Sequence, residues 1–199
     1  MTEELELLDW KRRVFQLYAD VRAAADPEQG WRGWRAGRDE LFRAHPQSPL
    51  AAGVRQSFPG LDYFPYDPAL RVVAEVDPAE PETREIAGSA GSATRFRRFA
   101  RASVGGGTLE LYWLEGYGGG VFLPFADAAS GRETYGGGRY LLDTVKGADL
   151  GVDGGRIVLD LNFAYNPSCA YDARWACPLT PPSNRLAFEV RAGERVPGG

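Results

Sequence analysis

The chain is poor in lysine, isoleucine, asparagine, cysteine and histidine. Of 23 basic residues only Lys11 and Lys146 are lysine, and Ile86 and Ile157 are the only isoleucines. That bias suits a GC-rich bacterial genome, which speaks of coding and not of function. Two cysteines in 199 residues exclude a disulfide-built scaffold. No apolar run approaches the roughly 20 residues that a bilayer span needs, so no membrane partner is expected. A net charge of −4 supplies no large positive field, so no nucleic-acid partner is expected either. The opening Met-Thr-Glu-Glu-Leu-Glu is acidic and has no apolar signal region, and a cytoplasmic location with reduced thiols is the expectation. A disulfide across the seven residues between Cys169 and Cys177 stays open as the alternative.

What remains is 44% apolar and 12% aromatic, enough to bury a substantial core. Residues 3–25 read as a helix with Leu7, Trp10, Val14, Leu17 and Val21 on one stripe. Thr2 stands at its N-cap, with acid in the first turn. Asp26-Pro27 stops it and starts a second helix carrying Trp31, Trp34, Leu41 and Phe42, which Gly30, Gly33 and Gly37 weaken and His45-Pro46 ends. Beyond residue 54 the period becomes two. Segments 71–76, 95–104, 108–115, 121–125, 139–143, 157–161 and 186–191 read as about seven strands. Helices first and strands after, with no βαβ alternation, predict an α+β fold: N-terminal helices on a mainly antiparallel sandwich or barrel. One domain is expected over residues 1–199, with a helical segment 1–45 on a β-rich body 54–195.

Most motif candidates have ordinary explanations. The glycine triplets at 105–107, 118–120 and 136–138 lack a following Gly-Lys-Ser/Thr and read as turns. The run Arg95 to Arg101 mixes bases with aromatics but reads as an exposed or edge strand guarded by charge. His45, the only histidine, reads as a solvent-facing loop residue, and no close ligand pairs suggest a metal.

The C-terminal segment differs. All three asparagines (Asn162, Asn166, Asn184) and both cysteines fall between residues 162 and 184, in a stretch braced by Pro167, Pro178, Pro181 and Pro182. Prolines rigidify a loop without secondary structure, and its polar side chains can tie turns together or face a ligand. A small-molecule site, in an enzyme or a binding protein, is therefore expected around segments 133–143 and 160–185. Its candidate residues are Glu133, Arg139, Tyr140, Asp160, Asn162, Tyr165, Asn166, Cys169, Tyr171, Asn184 and Arg185. Arg139 or Arg185 can clamp a carboxylate or phosphate, and Asp160 or Glu133 can serve as a base if its pKa is raised. Cys169 can act as a nucleophile only beside a group that stabilises its thiolate. A dithiol switch of Cys169 with Cys177 trails, since the spacing is not Cys-x-x-Cys. The alternative is a structural or partner-binding module, in which the loop is glue and a partly exposed Trp175 is the anchor. Spacing names no reaction, cofactor or oligomeric state.

The motifs Gly131-Arg132-Glu133-Thr134-Tyr135 to Leu141, Leu159-Asp160-Leu161-Asn162 to Tyr171, and Cys177-Pro178-Leu179 to Leu186 resemble the DUF1684 family. So do the earlier Ser48-Pro49-Leu50 and Phe58-Pro59-Gly60-Leu61-Asp62-Tyr63-Phe64. The family pattern has Asp-Phe-Asn and Asn-Pro-Pro-Cys where this chain has Asp160-Leu161-Asn162 and Asn166-Pro167-Ser168-Cys169, which leaves the polar positions intact. The family carries no assigned function, so the resemblance implies no catalytic residues.

Overall fold

The computed structural model describes residues 2–91 and 93–198. Helix α1 spans Glu3–Ala23 and α2 spans Pro27–Ala44, with Asp26 accepting the Glu28 backbone N–H at 3.0 Å as the cap between them. The buried face of α2 carries Trp31, Trp34, Leu41 and Phe42. Gly37, which costs helix propensity, sits where a side chain would collide with Leu17 of α1. Close approach of the two helices is what that glycine provides. A short α3, Ala52–Arg55, follows.

Among the described residues the β part is eight strands in two antiparallel sheets. Strands β2 (Asp77–Ala87), β3 (Ala93–Val104), β4 (Gly107–Leu114), β5 (Gly120–Phe125) and β6 (Arg139–Asp143) form one sheet in chain order. Strands β1 (Arg71–Ala74), β8 (Arg156–Asp160) and β7 (Val152–Asp153) form the other, in the order β1-β8-β7. Val104 pairs with Gly107, so Gly105 and Gly106 form a two-residue hairpin turn. Both have positive φ (55° and 86°), as a tight right-twisting hairpin requires. The sheets share one apolar core, including Leu109, Leu111, Leu123, Leu141, Leu159 and Leu161, all at most 2% exposed. Each such side chain contributes ~1.5–3 kcal/mol through burial. A second, aromatic cluster holds the helices against the body through Tyr18, Trp31, Trp34, Tyr63 and Phe163.

Three expectations need correction. The Arg95–Arg101 run lies on β3, an interior strand, because residues 77–87 form the edge strand beside it. Pro78, Pro81 and the acidic side chains of that segment are what an unpaired edge tolerates. Arg98 pairs with Glu110 at 2.8 Å and Glu82 at 3.2 Å, so the basic run is neutralised from both sides. Burial pushes the Glu110 carboxyl up, but hydrogen bonds from Tyr112, Arg98, Ser183 and Arg101 prevail and hold it down near 2. Residues 186–191 form no strand: this tail gives its Val190 carbonyl to a side chain, Arg139, rather than to a ladder. His45 is buried, not solvent-facing; its Nδ1 accepts from the Gln47 N–H, and its Nε2 lies 3.2 Å from the Asp9 carboxylate. No helix among the described residues is long and apolar enough to cross a membrane.

Arg139 is 1% exposed and ties the tail down. Its guanidinium donates to Asp127 Oδ2 at 2.9 Å, to the carbonyls of Val190 and Glu194 at 3.1 Å, and to that of Ala192. Arg139→Met leaves Asp127 buried without its cation and three carbonyls without a donor. Urea denaturation should show a loss of about 3–5 kcal/mol, the usual result of removing one member of a buried pair. A loss below about 1 kcal/mol would show that the tail is held by other contacts.

Candidate functional site

A cavity of about 330 Å³ lies between α1, α2 and the proline-braced loop. Helix α1 contributes Leu7, Trp10, Lys11, Val14 and Tyr18, whose spacings of three and four place them on one face. Arg38 and Phe42 come from α2, and Tyr140 from β6. The turn after β6 adds Val145, Lys146 and Ala148. The loop closes the wall with Tyr165, Asn166 and Ser168 on one side and Trp175 and Cys177 on the other. A separate hollow at the C-terminal half of α1 is lined by Ala24, Ala25, Gly30 and Gly33 and offers no cation.

The loop is held in place from two directions. The backbones of Tyr165 and Tyr140 exchange hydrogen bonds at 2.8 and 3.0 Å, continuing β6 by one residue pair. Asn166 donates its backbone N–H to Glu194 Oε2 at 2.9 Å and its side-chain amide to the Arg195 carbonyl at 2.7 Å. At the other end Cys177 exchanges bonds with Ser89, and the Leu179 N–H donates to the Ala87 carbonyl, pinning the loop to the end of β2. Pro167 opens a single 3-10 turn over Ser168–Ala170 between these anchors.

Under the cavity sits a buried carboxyl. Glu194 is 1% exposed and its Oε2 receives Arg38 at 2.8 Å as well as the Asn166 N–H. Its Oε1 has no hydrogen-bond partner. Burial raises its pKa to about 7, although Arg38, the Asn166 N–H and Arg139 all pull it down. Two wall residues also keep a buried atom without a partner, Tyr18 at its hydroxyl and Asn166 at Oδ1. Unpaired buried polar atoms are rare, and each calls for an explanation.

Cys169 and Cys177 are free thiols side by side. The Cys169 N–H donates to Cys177 Sγ at 3.4 Å, and the Tyr135 hydroxyl lies 3.7 Å from Cys169 Sγ. Hydrogen bonding from Cys177, with help from Ser89 and Tyr135 against burial, brings Cys169 down to about 6. The same bond, together with burial, pushes Cys177 up. No group of three or more metal-binding side chains occurs among the described residues.

The candidate residues divide sharply. Tyr140, Tyr165 and Asn166 line the cavity. Arg139 spends both terminal nitrogens of its guanidinium on the tail and on Asp127, so it is a strut and not a ligand clamp. Asn184 receives the Glu110 N–H and donates to the carbonyls of Glu110 and Pro124, sewing the loop to β4 and β5. Asp160 caps the 3-10 turn at Leu161–Phe163 through the Asn162 backbone and side chain, and burial raises its pKa. Asn162 in turn holds Asp67 by both backbone groups. Glu133 pairs with Arg191 at the surface, and Arg185 is exposed. Tyr171 packs edge-on against Phe42, and Cys169 stands behind Cys177. Arg139, Asp160, Asn162 and Arg185 therefore do not gather on one cleft. Trp175 is half-buried, with its indole N–H on the Pro49 carbonyl.

Sequence reasoning missed Lys11, Arg38, Lys146, Trp10 and Tyr18. The first helix's stripe reads as core, yet part of it faces a void. Lysine scarcity was the available signal: both lysines of the chain stand on this one wall.

Comparison with known proteins agrees with the sequence resemblance. Residues 56–195 match the family described as "Protein of unknown function (DUF1684)". A solution NMR structure of an uncharacterised protein from Haloarcula marismortui is similar at 36% identity, over 84% of this chain and 93% of that one, with a TM-score of 0.58. No curated protein matches.

The buried carboxyl sets a pH dependence. Below pH 4.5 folded and unfolded chains both carry the Glu194 proton; between 4.5 and about 7 only the folded chain retains it. The folded state then binds more protons, so the Glu194 contribution to stability is lost as pH rises through that window and is flat above it. Glu194→Gln should abolish that slope in urea titrations run from pH 4.5 to 8. Parallel stability curves for the variant and the wild type would contradict the assignment.

Proposed function

The chain belongs to the DUF1684 family, and on that footing we propose that it binds a small molecule in the cavity between α1 and the proline-braced loop. The observation that carries this reading is the unfinished polar chemistry of the wall. The other two asparagines of the loop are consumed by the fold: Asn162 and Asn184 make three or more bonds each to protein groups. At the cavity, Tyr18 and Asn166 each retain an unpartnered atom beside Trp10, Val14, Tyr140 and Trp175. A largely apolar hollow with a few convergent polar groups is the usual character of a ligand site, and about 330 Å³ lies within the customary size range. The proposal assigns no catalytic role to these residues.

A second reading, docking of a partner protein, rests on Leu5, Leu7, Leu8 and Phe15 of α1, each 44–52% exposed. The two readings are separable. Val14→Trp fills the cavity from within while leaving the outer face of α1 unchanged. In a thermal-shift screen of a metabolite library, at least one compound should raise the wild-type melting temperature, by an amount set by its concentration over Kd. Val14→Trp should fold with a similar melting temperature and lose that response. A library without a stabilising compound, or a variant that responds as the wild type does, would contradict the proposal.

A further inference from the structure

We infer that the ligand is a monoanionic organic acid, a carboxylate head on a flat apolar body, held by Lys11 and Lys146 at the rim of the cavity. The inference rests on the cavity being a ligand site. Three cations line the wall (Lys11, Arg38 and Lys146), and no aspartate or glutamate is among its described lining residues. Above about pH 7, where Glu194 is ionised, two of the three already share their charge, Arg38 with Glu194 and Lys146 with Asp143, each at 2.8 Å. Lys11 makes no ion pair among the described residues. One positive charge is therefore left without a counterpart, which fits a single carboxylate better than a dianion or an amine.

The identity of these cations is itself informative. The chain fills its other basic positions with arginine, and the wall, about a tenth of the residues, holds both of its lysines. Arginine and lysine are not equivalent: the guanidinium is a planar fork, whereas the ammonium is a compact charge on a flexible stem. Lys146 is 55% exposed and Lys11 half-buried, so both can swing over the opening while their stems stay on the wall. Arg38 is fixed deeper, over the rings of Trp34, Phe42 and Tyr165. Below the rim, Trp10, Val14, Tyr140 and Trp175 offer an apolar lining suited to a flat ring system. An ion pair at such a partly desolvated mouth is stronger than one in open water.

The test uses three matched probes on the full chain by isothermal titration calorimetry: naphthalene-2-carboxylate, its neutral carboxamide, and 2-(aminomethyl)naphthalene. The wild type should bind the carboxylate one-to-one, about tenfold or more tighter than the carboxamide, with the amine weakest. Lys11→Met, which breaks no ion pair, should reduce carboxylate affinity several-fold. Lys11→Met with Lys146→Met should bring it to the level of the carboxamide, whose own affinity stays unchanged. Equal affinities for carboxylate and carboxamide, or tighter binding of the amine, would overturn the inference and leave the cavity reading standing. So would lysine variants that still prefer the carboxylate. Failure of all three probes to bind the wild type would overturn this inference, while the metabolite thermal-shift screen decides the cavity reading separately.

Discussion

A single buried guanidinium organises the C-terminal half of this protein. Arg139, on the first residue of β6, takes Asp127 as its counter-ion and the carbonyls of Val190, Ala192 and Glu194 as acceptors. A guanidinium suits that task because its donors fan out in one plane, and four acceptors from two segments can meet it at once. The desolvation cost of burying it is offset only because those acceptors are all present. Burial correspondingly pulls the Arg139 pKa down, against the pull of Asp127.

The consequence reaches the cavity through the tail. With Val190 to Glu194 fixed, the Glu194 side chain stands below the loop, where it receives Arg38 from α2 and the backbone of Asn166. Helix, loop and tail thus meet on one carboxyl. The cavity forms above that junction because α1 covers the loop without filling the space beneath it: Trp10, Val14 and Tyr140 all line the same void. The family match begins at residue 56, so the loop wall lies inside it and the helical wall, with Lys11 and Arg38, lies before it.

Much of the architecture was legible because it follows from periodicity. The α1 stripe, the Asp26-Pro27 break, the hairpin at Gly105-Gly106 and the β6 segment 139–143 stand where local rules put them. The failures have physical causes. Residues 77–87 pair despite their prolines because an edge strand leaves half its backbone groups in water. Residues 186–191 alternate like a strand, yet a buried arginine takes the Val190 carbonyl, and no local pattern announces a partner some 50 residues away. The candidate site was legible as a segment but not as a surface. Rare asparagines marked the loop, but two of the three turned out to brace it, while Asn166 alone faces the void. Whether a polar side chain is consumed by the fold depends on contacts between distant segments. Spacing along the chain does not encode them.

The central claim is that the void between α1 and the loop receives a ligand, and the five tryptophans report on it independently. Trp10 and Trp175 line the void; Trp31 and Trp34 lie in the aromatic cluster under α2; Trp113 is 39% exposed on β4. In a heteronuclear NMR titration with naphthalene-2-carboxylate, the indole N–H signals of Trp10 and Trp175 should shift saturably together while that of Trp113 stays fixed. Shifts centred on Trp113, or spread evenly over all five indoles, would contradict the account.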